Sequence, residues 1–106
     1  MPEPHSEAAR IFGERVRETR QSLALSQETV ADLAEMHVTN FGKIERGVAN
    51  PSLHTMVRIA SVLSVDPAQL VQGIGREHLP KSAHTLTAAE FMAERKRRAE
   101  SERPGS

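Results

Sequence analysis

Residues 26–47, SQETVADLAEMHVTNFGKIERG, constrain this chain more than any other stretch. Ser26 is a good N-cap, because its hydroxyl accepts one of the otherwise unpaired backbone N–H groups of a first helical turn. Behind it Val30, Leu33, Ala34 and Met36 recur at helical spacing, which predicts a helix over about 27–35. A second helix over about 38–46 follows from Phe41 and Ile44, three apart on one face, and from the stop at Gly47. The connecting residues, Glu35 to His37, are too few for anything but a sharp corner.

The flanking segments are helical too. Over about 6–23, Phe12, Val16, Thr19 and Leu23 make an inward stripe. Ser52 opens a fourth helix, whose apolar stripe of Leu53, Met56, Val57, Ala60 and Leu63 runs to about residue 63. Asp66-Pro67 is an N-cap followed by proline at the first helical position, where its missing N–H costs nothing. That starts a short helix over about 67–72, with Leu70 and Val71 closing the core and Gly73 and Gly75 ending the domain.

Two helices joined by a tight turn form the helix-turn-helix pattern, whose second helix enters the major groove of DNA. The resemblance extends over about 12–70, through the tokens FGERVRETR at 12–20, LALSQETVA at 23–31, KIERG at 43–47 and PSLHTMVRIASVLSV at 51–65. In order and spacing these resemble the DNA-binding domain shared by phage lambda-type repressors, Cro and XRE-type bacterial regulators. Two positions depart from that pattern. Glu35 replaces the usual turn glycine, and His37 replaces the Ser or Thr that caps the second helix. The resemblance implies an all-α, five-helix lambda-repressor-like domain over 6–75. The remainder, 76–106, reads as a linker, an extra C-terminal helix and a frayed tail.

With 100° per residue, the face opposite Phe41 and Ile44 carries Thr39, Gly42, Lys43 and Arg46. By resemblance, base contacts fall to Val38, Thr39 and Lys43. Lys43 is suited to guanine O6 and N7, and Val38 and the Thr39 methyl to thymine methyls; Lys43 equally suits a phosphate. Gly42 costs about 1 kcal/mol relative to Ala in mid-helix, either for a close approach or as tolerated slack. Gln27 matches a phosphate-binding position of the family, and Arg46 and Asn50 flank the turn after the second helix as further backbone contacts. Arg15 and Arg17 are weaker candidates. The family also pairs an arginine at the position of Arg20 with the glutamate of the ERG token, Glu45, a structural salt bridge.

Charge works against a simple DNA-binding picture. Lys plus Arg and Asp plus Glu number 14 each, so the net charge is zero. A strongly basic domain is the usual electrostatic footprint of a nucleic-acid binder. The cations must therefore gather on one face, and tight non-specific binding is not expected. The chain contains no cysteine, and its five histidines show no metal-ligand spacing. With no phosphate loop or nucleophile motif either, neither an enzyme nor a cofactor is expected. No run reaches membrane-spanning length and the N-terminus lacks a signal-peptide core, which makes the cytoplasm the expected compartment.

Beyond residue 75 the character changes. Thr87-Ala-Ala-Glu90 is a capping box, and Leu86 and Phe91 occupy the positions of a hydrophobic staple, which predicts a helix over about 88–100. The run Arg95-Lys96-Arg97-Arg98 is either a solvated face near the negative end of that helix or a set of DNA-backbone contacts. Leu86, Phe91 and Met92 need an apolar partner: a second copy in a homodimer, or the same chain, unless the tail is disordered. The expected function is a sequence-specific transcription regulator, dimeric on a palindromic operator of double-stranded DNA. A tail of roughly 30 residues is too small for a ligand-binding domain, so no small-molecule effector is expected. The alternative is an antitoxin or adaptor that uses the same fold to hold a protein partner.

Overall fold

The order of elements follows from local closure at each helix start. A computed structural model describes residues 3–80 and 86–102 and contains, among them, six α-helices and no strand. They are α1 (Glu7–Ser22), α2 (Gln27–Leu33), α3 (Val38–Glu45), α4 (Leu53–Val62), α5 (Pro67–Val71) and α6 (Ala88–Ser101), with a single 3₁₀ turn at Arg76–His78. The hydroxyls of Ser6, Ser26 and Ser52 each accept the backbone N–H three residues on, at 3.0, 3.0 and 3.1 Å. Asp66 accepts that of Ala68 at 2.9 Å. Only α3 begins without a side-chain cap, at His37.

The first four helices also end alike, and this shortens them relative to the sequence reading. After the last helical residue the chain takes one left-handed residue: Ala24 (φ 56°), Glu35 (φ 56°), Gly47 (φ 76°) and Ser64 (φ 60°). The next residue then bonds back five positions: Leu25 to Arg20, Met36 to Ala31, Val48 to Lys43 and Val65 to Ala60. This is the Schellman motif, normally built on glycine. Three of the four positions hold a side chain there, at a cost of roughly 1–2 kcal/mol each. The offset is apolar: Leu25, Met36 and Val65, the residues just after the strained ones, pack against the core. Glu35 therefore accepts positive φ, and α2 stops at Leu33 instead of running through Glu35.

α1 packs on α3 and α5, α2 on α3 and α4, and α4 on α5. Between them lie Phe12, Val16, Val30, Ala31, Phe41, Ile44, Ile59, Ala60, Leu63 and Leu70. Some expected core positions are instead exposed: Leu23, Leu33, Leu53, Val57 and Val71. Leu23 is the C-cap of α1, already turning away. On α4 the inward stripe is Met56, Ile59, Ala60 and Leu63, which leaves Leu53 and Val57 at its margin. Arg15, weighed as a phosphate contact, donates to the carbonyls of Leu70 and Gln72 and closes the end of α5.

Two glycines mark where α1 and the end of α3 come close. A Cβ on Gly13 would lie 2.1 Å from the Ile44 carbonyl oxygen and 2.6 Å from that of Glu45. A Cβ on Gly47 would lie 2.6 Å from Arg10 Cα. Neighbouring backbone cannot yield there, so both positions must lack a side chain. Over this contact a polar network ties the elements together. Arg20 Nε donates to Glu45 Oε2 at 2.7 Å, its Nη2 to Oε1 at 3.1 Å, and its Nη1 to the Leu25 carbonyl at 2.8 Å. Gln27 Nε2 donates to Glu45 Oε1 at 2.7 Å. The Glu45 side chain is only 2% exposed and that of Arg20 12%. The hydrogen bond to Glu45 holds the Arg20 guanidinium above its ordinary pKa.

α6 begins on the expected capping box, with Thr87 Oγ1 accepting from Glu90 N and Thr87 N donating to Glu90 Oε1, both at 3.1 Å. None of its residues is buried. The linker expected over 76–86 holds the 3₁₀ turn, where His78 Nδ1 accepts from Gly75 N at 2.9 Å, and Arg76 pairs with Glu90 at 2.9 Å. Lys81 to Thr85 of that linker, and the frayed end beyond Glu102, lie outside the described residues.

Two stability predictions come from these contacts. Gly13→Ala is expected to destabilise the domain by about 3 kcal/mol, the upper part of the overpacking range, in a urea titration followed by circular dichroism. An unchanged midpoint would mean α1 and α3 separate easily. Arg20→Ala should cost about 3–5 kcal/mol, because Glu45 is left buried without its cation. The check is the thermal midpoint, which a surface pair would leave almost unmoved.

Candidate nucleic-acid interface

α3 owes its outward face to its two inward anchors. Phe41 and Ile44 are buried, so Val38, Thr39, Asn40, Lys43 and Arg46 remain exposed. Val38 is 39% exposed, a large apolar side chain left on the leading edge of the helix. Lys43 and Arg46 stand one turn apart along the same side. Asn50 is exposed in the loop beyond Gly47.

Gly42 does not share that exposure. It is buried, and what covers it is the side chain of Arg46, with Nη1 3.1 Å from where a Cβ would stand. The 100° spacing sets Gly42 opposite Phe41 and Ile44, yet the position is buried. Spacing alone could not show that a neighbouring long side chain folds back over the position.

Gln27 is half-buried at the start of α2, and one of its amide hydrogens is committed to Glu45. Gln27, Arg17, Arg20, Glu45 and Arg46 line a surface groove of about 280 Å³ between α1, α2 and the end of α3. Three guanidinium groups there face one carboxylate.

The surrounding charges explain how a neutral chain makes a positive face. Over residues 3–80, Arg10 pairs with Glu7 and Glu14, Arg20 with Glu45, Arg58 with Glu35, and Arg76 with Glu90. Arg15 is spent on backbone carbonyls. Arg17, Lys43 and Arg46 make no ion pair or hydrogen bond among the described residues. All three lie on or beside α3. On α6, Arg97 and Arg98 both pair with Glu94, and Arg95 stacks over the Phe91 ring at 5.8 Å. Part of the basic run is therefore neutralised within its own helix.

Two contributions escaped the sequence reading. Gly13 decides how closely α1 approaches α3, and its only trace was a mid-helix glycine, a costly residue there. The His5 N–H donates to the Gly47 carbonyl at 2.7 Å and ties the segment before α1 to the end of α3, with no signal in the sequence. Among the described residues, no helix is long and apolar enough to cross a membrane.

A family model described as a helix-turn-helix domain matches residues 11–72. The chain is 35% identical over 63 residues to the SPbeta prophage-derived uncharacterized HTH-type transcriptional regulator YonR of Bacillus subtilis. That match takes in 59% of this chain and 58% of the regulator, so the chain spans little more than half the length of that relative. Among solved structures it is similar to the restriction-modification controller protein C.AhdI from Aeromonas hydrophila, with TM-score 0.57 and 39% identity, covering 58% of this chain and 94% of that one. It is also similar to the biofilm master regulator SinR, solved in complex with DNA, with TM-score 0.54 and 27% identity, covering 56% and 95%. With its caps, its corner at Glu35 and the packing of α1 against α3, this chain belongs to the helix-turn-helix domain family.

Proposed function

We propose that this protein is a sequence-specific DNA-binding transcription regulator that lays α3 in the major groove. The observation that carries the reading is the placement of charge. Of the cations of residues 3–80 that lack partners among the described residues, Lys43 and Arg46 stand on the outer side and at the end of one short helix, and Arg17 of α1 joins Arg46 on the groove beside it. That side also presents Val38 and Thr39, an apolar and a mixed surface of the kind that reads thymine methyls. In this reading Val38, Thr39 and Lys43 meet base edges. Arg46, Asn50 and the α2 start at Gln27 hold phosphates, the α2 N-terminus offering backbone N–H groups as well. SinR, similar over 56% of this chain, was solved with DNA bound. A DNA-binding role places the protein in the cytoplasm.

A single α3 reads only a short half-site, and a two-fold dimer would present two such helices about 34 Å apart on one face of DNA. We assign the dimer contact to the C-terminal segment. A helix of this length is marginal alone in water. Leu86, just before α6, and Phe91 and Met92 on it are 55%, 49% and 60% exposed, apolar surface that a second copy would cover.

Two measurements test these readings. Lys43→Ala combined with Thr39→Ala should weaken binding to a duplex enriched by the wild-type protein from random sequence by about 1–3 kcal/mol per lost base contact, with the melting curve unchanged. Wild-type affinity in a gel-shift titration at fixed salt would remove α3 from the reading role. Truncation after Gly75 should convert a dimer to a monomer in sedimentation equilibrium and lower affinity for a palindromic duplex. A truncated chain that still dimerises would take the dimer contact away from the C-terminal segment.

A further inference from the structure

A glycine in the middle of an eight-residue helix is costly, yet α3 keeps one at position 42, and the structure shows what uses the space. Helical side chains lean toward the N-terminus and cover the turn before their own Cα. Arg46 does this, reaching back over the residue four positions earlier. Its Nη1 comes to 3.1 Å from the place a Gly42 Cβ would occupy and its Cζ to 4.0 Å, while Gln27 Oε1 lies 3.9 Å from the same point. The guanidinium therefore lies against bare helix backbone, beside the start of α2 and on the groove shared with Arg17, Arg20, Gln27 and Glu45. Nothing else fastens it: among the described residues Arg46 has no hydrogen bond and no ion pair.

We infer that Gly42 is the positioning residue for Arg46, the absent side chain seating the guanidinium over α3 at the groove where α2 begins, so that it meets a DNA phosphate already in place. The inference rests on the proposed role of Arg46 as a backbone contact. A methyl group at position 42 would fall inside ordinary contact distance of Nη1. The obstructed group is the far end of a flexible, unanchored side chain, so the helix would keep its place and the guanidinium would leave its seat. Stability and DNA binding should then move in opposite directions. Alanine is the better helix former and relieves the glycine cost, whereas an unseated Arg46 must be ordered again on binding.

The experiment compares the full-length wild type, Gly42→Ala, Arg46→Ala and the double variant on one duplex, enriched from random sequence by the wild type, across a series of salt concentrations. Gly42→Ala should melt at or above the wild-type temperature. It should also bind more weakly and flatten the dependence of log K on log salt by up to about 0.9, the value of one phosphate contact. Arg46→Ala should flatten it by the same amount, and the double variant should bind no worse than Arg46→Ala alone. Wild-type affinity and slope in Gly42→Ala, beside a loss in Arg46→Ala, would overturn the inference while leaving Arg46 as a backbone contact. Losses that add in the double variant would mean the methyl obstructs DNA directly, and a lower melting temperature would mean the glycine serves packing; either overturns it. A wild-type slope in Arg46→Ala would instead overturn the reading of Arg46, and the inference with it.

Discussion

The arrangement of this domain depends on one buried carboxylate. Glu45 stands at the last residue of α3, almost wholly removed from water, and receives two bonds from Arg20 and one from Gln27. A buried ion pair is a poor source of stability, because the attraction of the charges is set against the loss of their hydration. What it supplies is direction. The bonds from Arg20 to Glu45 and to the Leu25 carbonyl close together in one relative placement of α1, the turn after it, the start of α2 and the end of α3. The outer face of α3 inherits its orientation from that placement.

The helices being oriented are short, between five and ten residues from α2 to α5, lengths at which a helix has little stability of its own. Their ends therefore matter as much as their interiors. A left-handed residue and a half-buried apolar residue after it turn the chain sharply at each of the first four ends. Side chains at three of these left-handed positions are strained, and the apolar neighbour that follows each one holds the corner shut. Stability of this kind is distributed, with every corner braced by the core it helps to build.

Electrostatics are handled by subtraction. Within residues 3–80 of a chain with zero net charge, carboxylates pair with Arg10, Arg20, Arg58 and Arg76 and with none of Arg17, Lys43 and Arg46. On the proposed DNA-binding reading, so few free cations favour ready release from non-specific DNA. Affinity for phosphate alone rises with every cation that releases counterions, and few are offered here.

The local features were legible in the residues themselves. Ser26, Ser52, Asp66 and Thr87 announce helix starts, and the spacing of Phe12, Val16, Phe41 and Ile44 announces inward faces. Periodicity and capping are properties of neighbouring residues, so a single sequence carries them. It carries less about which side of an apolar stripe ends up covered, as Leu53, Val57 and Leu33 demonstrate. It carries almost nothing about the contact at Gly13, the covering of Gly42 by Arg46, or the sharing of Gln27 with Glu45. Those were decided by tertiary structure, because each depends on a distance between atoms that only the packing of α1, α2 and α3 against one another brings within reach.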